Sequence, residues 1–480
     1  MQILLYIAPI ILVIGLVATG RVPLVRASFA GLVTTVPAVI VALHGQRDLV
    51  DFFLIESLKG AWLAWHAIAV TLAGLTVHHV IQAAAPERQT EAAATAAVSP
   101  HRRAYFLSFV AAGLIECAIG FGVGFALAIH GLRRLGVAPL PAIAVGLLSQ
   151  MLVPWGGLGI GTMIGAALGH LPLHEFGFYS ASLMPAFVAV LLGWFWWWSH
   201  KLKLGLTLAN MALDLLWTAT MFGLLWLGNL YASVDSAGLI ATAPLVALGW
   251  LLDRNRPALS TTLRIALPYL MLIGVLLSTR LIAPLSQALQ SVAVMQPFDD
   301  MPVFPWAYQA GVMLLLTAIA YGALTLKPRQ IGGILKQTWA AGRIAVATTL
   351  IFLVMARLMA ASGIPAELAL AWQSVAGEHA LLATPLFAAV AGGLTGSNTA
   401  SNSLMLPLQA ALAGSAGANV LWVSALQNVT GSLFTPFFPG KIAMACAFAG
   451  IAGAERQVYR FVIPLAPLLL AASVLLTLFL

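Results

Sequence analysis

Apolar runs of about twenty residues recur along this chain, near 3–20, 22–43, 60–84, 176–199, 207–230, 237–252, 262–285, 303–326, 338–361 and 459–480. Roughly 20 such residues are what a helix needs to cross the ~30 Å hydrocarbon core of a bilayer. Charge is correspondingly scarce. Of 480 residues, 61% are hydrophobic and 8% charged, where a soluble chain carries about 25% charged residues. No water-soluble fold of this size covers itself with so little charge, which excludes a soluble enzyme, a nucleic-acid binder and a disordered scaffold. The expectation is an all-α, multi-pass membrane protein. The formal net charge of +8 then reads as Lys and Arg gathered in cytoplasmic loops, a topology signal, and no basic run interleaved with aromatics suggests a nucleic-acid partner. Cys117 and Cys446 both sit in apolar runs and suit neither a disulfide framework nor a zinc site. The opening MQILLY lacks a basic segment and leads into an apolar run ending near Arg21, so it reads as a first span rather than a signal peptide.

Four further stretches, 104–131, 138–168, 380–412 and 418–449, are too long for one straight helix or are interrupted by glycine, proline and polar residues. Lipid tolerates broken helix only where protein or a water-filled cavity satisfies the freed backbone groups, so a site is to be sought there. Loops rich in Lys and Arg (85–103 with Arg88, Arg102 and Arg103; 132–137; 200–206; 253–264 with Arg254, Arg256 and Arg264; 327–337; 452–460) alternate with loops poor in them (169–175, 231–237, 286–302, 362–379, 413–417). The alternation is consistent if 104–131 and 380–412 are re-entrant hairpins and 138–168 and 418–449 are single broken crossings. The expected architecture is about 12 crossings plus two hairpins, with both termini outside.

The chain also repeats itself. LKGAWLAWHAIAVTLAGLTV at 58–77 matches LKQTWAAGRIAVATTLIFLV at 335–354, at a fixed offset of 277 that also carries Gln150 onto Gln427. The two copies run in opposite directions in this topology, as in many secondary transporters built from inverted repeats. The expected division is 1–230, an N-terminal repeat with hairpin 104–131 and broken helix 138–168, and 231–480, a C-terminal repeat with hairpin 380–412 and broken helix 418–449.

Polar side chains concentrate at 392–402, GGLTGSNTASN, where Thr395, Ser397, Asn398, Thr399, Ser401 and Asn402 fall in the middle of an apolar hairpin. Each costs free energy in lipid unless it has a partner. At a hairpin tip, backbone N–H groups and the positive end of a half-helix make an anion site, and neutral donors bind a carboxylate without trapping it. The competing explanation is close helix packing by small residues. GSNTASN followed by Leu408-Gln409, Gln427-Asn428 and Gly431 resembles the C-terminal signature of the L-lactate permease family, and Glu116 before Gly120-Phe121-Gly122 resembles that family's glycine-rich element in the other half. Pro154 with Gly157 and Gly159 is similar to its Pro/Gly-rich segment. The resemblance implies a bacterial inner-membrane symporter of L-lactate, glycolate and similar 2-hydroxy monocarboxylates with protons. This chain departs from the pattern at Glu116-Cys117, at Gly122-Val123-Gly124 and at Pro439-Gly440-Lys441, where a cation enters the last broken helix.

Intramembrane ionisable groups are functional candidates because a charge there is costly. Glu116 is the first candidate for the proton-carrying carboxylate and Asp214 a second. Lys441 is a counter-ion either for the substrate or for Glu116. Arg357, near an outer helix end, attracts anions or snorkels. The substrate-binding set is then Ser397, Asn398, Thr399, Ser401, Asn402, Gln427, Asn428, Lys441, Gly120, Phe121, Gly122 and Gln150. No phosphate-binding GxxxxGK[ST], HExxH or GxSxG occurs, which argues against an ATP-driven pump and against membrane enzymes of those types. The expectation is a secondary transporter, not an enzyme, without cofactor or metal. Its partners are a small organic anion, a coupling proton or sodium ion, and the lipid bilayer; a homodimer is compatible with this plan. The alternatives are a carrier of a different small anion and a non-transporting subunit of a larger membrane complex.

Overall fold

The computed structural model describes residues 2–45, 48–84, 99–253, 256 and 258–479; Arg88 and Arg254 lie outside them. The described chain is helical apart from a two-residue antiparallel ladder that pairs Val294 with Pro305 and Met295 with Phe304. Nine helices among the described residues are long and apolar enough to cross a membrane, or up to eleven if each of two bent pairs is one span. Many of their large apolar side chains are exposed, Phe29, Leu216, Ile265 and Ile344 among them, as a lipid-facing surface requires.

The two longest helices, Leu49–Ala84 and Pro328–Ala361, carry the matched sequences and pack on each other. A Cβ built at Gly60 would lie 2.7 Å from Val354 Cα, so glycine lets the two backbones touch. The first of these helices starts well before residue 60 and takes in Asp51, Glu56 and Lys59. Segment 362–379, expected as a loop, contains the helix Ile364–Ala376. Gly363 in the left-handed region ends the preceding helix, and Pro365 suits the first turn of the next. The last apolar run is likewise two helices, Glu455–Val462 and Leu465–Thr477, bent by 42° next to Pro464.

Each of the four unusual stretches is interrupted, and the interruptions touch. In the first, Ala112–Ile119 and Val123–Arg134 are joined by Gly120, Phe121 and Gly122, all at positive φ. The chain doubles back there: a Cβ at Gly124 would meet Ala112 O and Glu116 N, and one at Gly131 would meet Leu107. The second, Pro139–Leu168, turns through three consecutive left-handed residues, Gly157, Leu158 and Gly159. The third joins Thr384–Thr395 to Asn398–Ser415 and also doubles back, since Thr384 Oγ1 donates to Gln409 Oε1 at 2.7 Å. The fourth joins Val420–Phe437 to Pro439–Ala449 with a 49° bend.

Gly120 would place a Cβ 3.0 Å from Gly157 Cα, and Gly122 one 2.7 Å from Met444 Cε. Gly161 would place one 2.7 Å from Asn398 Nδ2, and Gly396 one 2.4 Å from Phe438 Cδ1. The four interruptions therefore form one contiguous region of irregular backbone inside a helical shell.

Candidate functional site

Two groups of polar side chains line this region. The first is built on asparagines. Asn398 and Asn402 stand one helical turn apart on Asn398–Ser415, whose N-terminus is capped by Ser397 accepting from Ala400 N. Spacing of i, i+4 puts both amides on one face. Each donates through Nδ2 to Asn428 Oδ1 at 2.9 Å, and Asn402 Nδ2 also reaches Gly161 O at 3.0 Å. Asn428 Nδ2 in turn donates to Thr162 Oγ1 and Ser180 Oγ, each at 3.0 Å. Beside it, Gln427 Nε2 donates to Ser401 Oγ at 3.2 Å. All seven side chains in this set of contacts are buried, yet Asn398 Oδ1, Asn402 Oδ1 and Gln427 Oε1 have no partner among the described residues. A buried acceptor left without a donor costs about 1–3 kcal/mol. Thr399 is half-buried on the same first turn.

The second group is charged. Glu116, 3% exposed, ends Ala112–Ile119, and its Oε1 accepts weakly from Gly122 N at 3.4 Å, at the start of Val123–Arg134, where a helix dipole favours an anion. Its Oε2 has no partner. Lys441, in the first turn of Pro439–Ala449, donates to Gln150 Oε1 at 3.0 Å and to Thr435 Oγ1 at 3.1 Å. Glu116 and Lys441 act on each other electrostatically but no ion pair joins them among the described residues. Phe121 is partly exposed beside them, between its two glycines.

The broken helix Pro139–Leu168 links the groups. It sends Gln150 to Lys441 and, past its left-handed turn, Gly161 and Thr162 to the asparagines. Of the sequence-chosen residues, all except Asp214 fall on the four interrupted stretches. Asp214 lies apart, on Leu208–Tyr231, where its carboxylate accepts from Arg102 Nη1 at 2.6 Å, His101 Nε2 at 2.9 Å and Trp196 Nε1 at 3.0 Å. This saturated carboxylate ties three segments together. Sequence reasoning passed over Thr162, Ser180 and Thr435. Thr162 had a signal, as the sole hydroxyl in GGLGIGTMIGAAL; Ser180 and Thr435 had none that periodicity reveals.

The L-lactate permease family model matches residues 257–480. The resemblance to that family holds. Over 102 residues the chain is 34% identical to the L-lactate permease of Escherichia coli (strain K12), covering 21% of this chain and 18% of that protein. Over 105 residues it is 37% identical to that of Salmonella typhi, with the same coverage. The matched stretches thus span about a fifth of the length of these relatives. Among solved structures, the YdaH transporter of Alcanivorax borkumensis aligns over 100% of this chain and 98% of its own, with TM-score 0.44 and 14% identity. The stretch that matches the L-lactate permease model contains both the asparagine group of 398–428 and Lys441, whereas Glu116, Gln150 and Thr162 lie before it. Together, long apolar helices and this family match make the chain a multi-pass membrane protein, consistent with the bacterial inner membrane.

Proposed function

We propose that this chain is a secondary active transporter that carries a small 2-hydroxy monocarboxylate, L-lactate or glycolate, together with a proton. The single observation that carries the reading is the trio of buried Glu116, buried Gln150 and half-buried Lys441, an acid and a base brought together from different halves of the chain beside a wall of amides with unpartnered atoms. The reason is electrostatic. With Glu116 ionised and Lys441 charged, the empty site is neutral. A carboxylate entering beside Lys441 adds one negative charge, and a proton on Glu116 cancels it. Empty and loaded sites then both cross the bilayer's field without net charge, which avoids the several kcal/mol that an uncompensated charge costs there. Hydroxyl and amide groups of Ser397, Asn398, Thr399, Ser401 and Asn402 supply neutral contacts for the substrate's hydroxyl and carboxyl. Two inverted repeats meeting at this region would give the alternation of access that transport needs.

The test is uptake of labelled L-lactate and glycolate into vesicles holding the purified full chain. An inward proton gradient is expected to drive accumulation, and Glu116→Gln to lower it about a hundredfold. If no imposed gradient drives accumulation of any small anion, the transporter reading is wrong. One observation favours a second reading, sodium coupling: the unpartnered oxygens of Asn398, Asn402 and Gln427 are hard neutral ligands of the kind alkali cations take. Accumulation driven by a sodium gradient at equal pH would select it.

A further inference from the structure

Residues 292–309 leave the helical shell and fold over it. The two-residue ladder forms their base, and the tip from Gln296 to Val303 reaches down onto Leu49–Ala84. There Trp62 Nε1 donates to Pro302 O at 2.8 Å, and His66 Nε2 lies 3.3 Å from Val303 O. Met301 and Phe304 are buried at 4% and 1% exposure, and Phe304 packs edge-on against Trp62 and His66. Beneath Pro302 is a cavity of about 190 Å³ lined by Leu63, His66, Ile160, Met163 and Ile164. Ile160, Met163 and Ile164 belong to the same helix whose other face presents Gly161 and Thr162 to the asparagines. The cavity is therefore one helix away from the candidate site.

A charged cluster stands beside this cavity, on the helical turn before Leu63 and at Asp300, two residues before Pro302. Asp300, at the tip, has one carboxylate oxygen bound by Lys59 Nζ and Arg357 Nη2, both at 2.9 Å. Glu56 bonds the same two cations, Lys59 Nζ at 3.1 Å and Arg357 Nε at 2.5 Å. Lys59, Glu56 and Arg357 are 14%, 9% and 9% exposed, but Asp300 is 46% exposed. The helix-borne part of the cluster is thus two cations and one anion, and Asp300 supplies the balancing charge. Lifting the tip would leave that cluster net positive beside the cavity.

We propose that 292–309 is a lid, and that Asp300 is a built-in carboxylate occupying an anion-capture position at Lys59 and Arg357 that an incoming monocarboxylate takes over as the lid lifts. Nothing in the central site requires such a position, and its chemistry is that of a carboxylate held by a guanidinium and an ammonium. The ligand in this inference rests on the anion-transport reading; the lid rests on its own contacts.

The experiment uses the full chain in vesicles, with Cys117 and Cys446 replaced by alanine and a single cysteine placed under the lid by Met163→Cys. The rate of labelling by a membrane-impermeant thiol reagent reports opening. L-Lactate is expected to raise that rate about five-fold, the change in open fraction that offsetting an ion pair worth about 1 kcal/mol gives; uncharged lactamide at the same concentration is expected to leave it unchanged. Asp300→Asn is expected to raise the rate to the same extent without lactate and to remove the lactate response, and Asp300→Glu to restore both. Equal rates in Asp300→Asn and the parent overturn the lid. A response to Asp300→Asn with none to L-lactate, in vesicles that accumulate lactate, overturns the exchange. Vesicles that accumulate no anion but label faster in Asp300→Asn retain the lid and refute the transport reading instead.

Discussion

The two doubled-back stretches differ in what their tips carry. The tip at Gly120, Phe121 and Gly122 leaves its polar work to an acid, Glu116, one turn earlier, and meets a lysine from the other half. The tip at Gly396 and Ser397 is followed by uncharged amides and hydroxyls that bond among themselves and to Asn428. One hairpin can change its charge by a single proton; the other cannot. On the proposed reading, the two hairpins would separate two tasks that interfere in one place: carrying a proton, and holding an organic anion with donors whose charge does not depend on pH.

The comparison breaks most sharply at Glu116. Glu116→Gln fixes the acid in its neutral form, so the loaded site stays neutral but the empty one retains the Lys441 charge. Net proton-driven uptake should fall by about a hundredfold, corresponding to about 3 kcal/mol for one uncompensated charge. Exchange of lactate for lactate, which never requires the empty site to cross, should survive. Loss of both in a folded variant would mean that Glu116 does more than carry a proton. On the other hairpin, Asn428→Leu removes the acceptor of Asn398 and Asn402 and the donor to Thr162 and Ser180. Thermal unfolding in detergent should show a loss of about 3 kcal/mol or more, with uptake lost under every gradient.

Gly120→Ala sharpens the contrast through the backbone. At φ +75° and ψ −154° the chain is where an L side chain is strained by about 1–3 kcal/mol, and the added Cβ meets Gly157. Its unfolding midpoint should drop, with proton-driven uptake falling further than exchange. Ser397→Ala loses one helix cap, about 1 kcal/mol, and should weaken apparent lactate affinity while leaving proton coupling intact. The smallest effect expected is that of pH on the lid. Burial works against the Asp300 carboxylate, but its bonds with Lys59 and the charges of Lys59 and Arg357 prevail and hold it below the ordinary value of 3.8. The lid contact is then complete above that value and is lost only as pH falls through a lower one. The ratio of Met163→Cys labelling rates with and without Asp300→Asn, in which the thiol's own titration cancels, should therefore not change between about pH 5 and 8; a change in that ratio would assign the lid to another titrating group.

Much of this was legible in the residues themselves. Broken helix was visible because glycine and proline interrupt apolar runs whose length should otherwise give straight spans, and the polar cluster at 392–402 was visible because six hydroxyl and amide side chains are costly in oil without partners. The partners were not visible. Thr162 and Ser180 come to Asn428 from positions 266 and 248 residues away in sequence, and a lone hydroxyl in an apolar helix reads equally well as a bond to its own backbone. Of 292–309, the part up to 302 reads as loop and 303–309 as the start of a span, because the contacts that hold the segment come from Trp62, His66 and Arg357, none of them near it in the chain. Asp214 stood out as an intramembrane acid, yet its neighbours Arg102 and His101 come from a loop whose charge had been read only as a topology signal.

The two crossed helices that carry the matched sequences have a mechanical consequence. At 1.5 Å per residue, the 36 residues of Leu49–Ala84 make a rod about 54 Å long, against a hydrocarbon layer of about 30 Å. Such a rod lies steeply inclined, projects into water at its ends, or does both. It is held to its partner along that length, from Gly60 against Val354, through Gly342 against Leu72 and Leu75, to His79 beside Thr338 at 3.1 Å, so any change of inclination must carry both rods together as one beam.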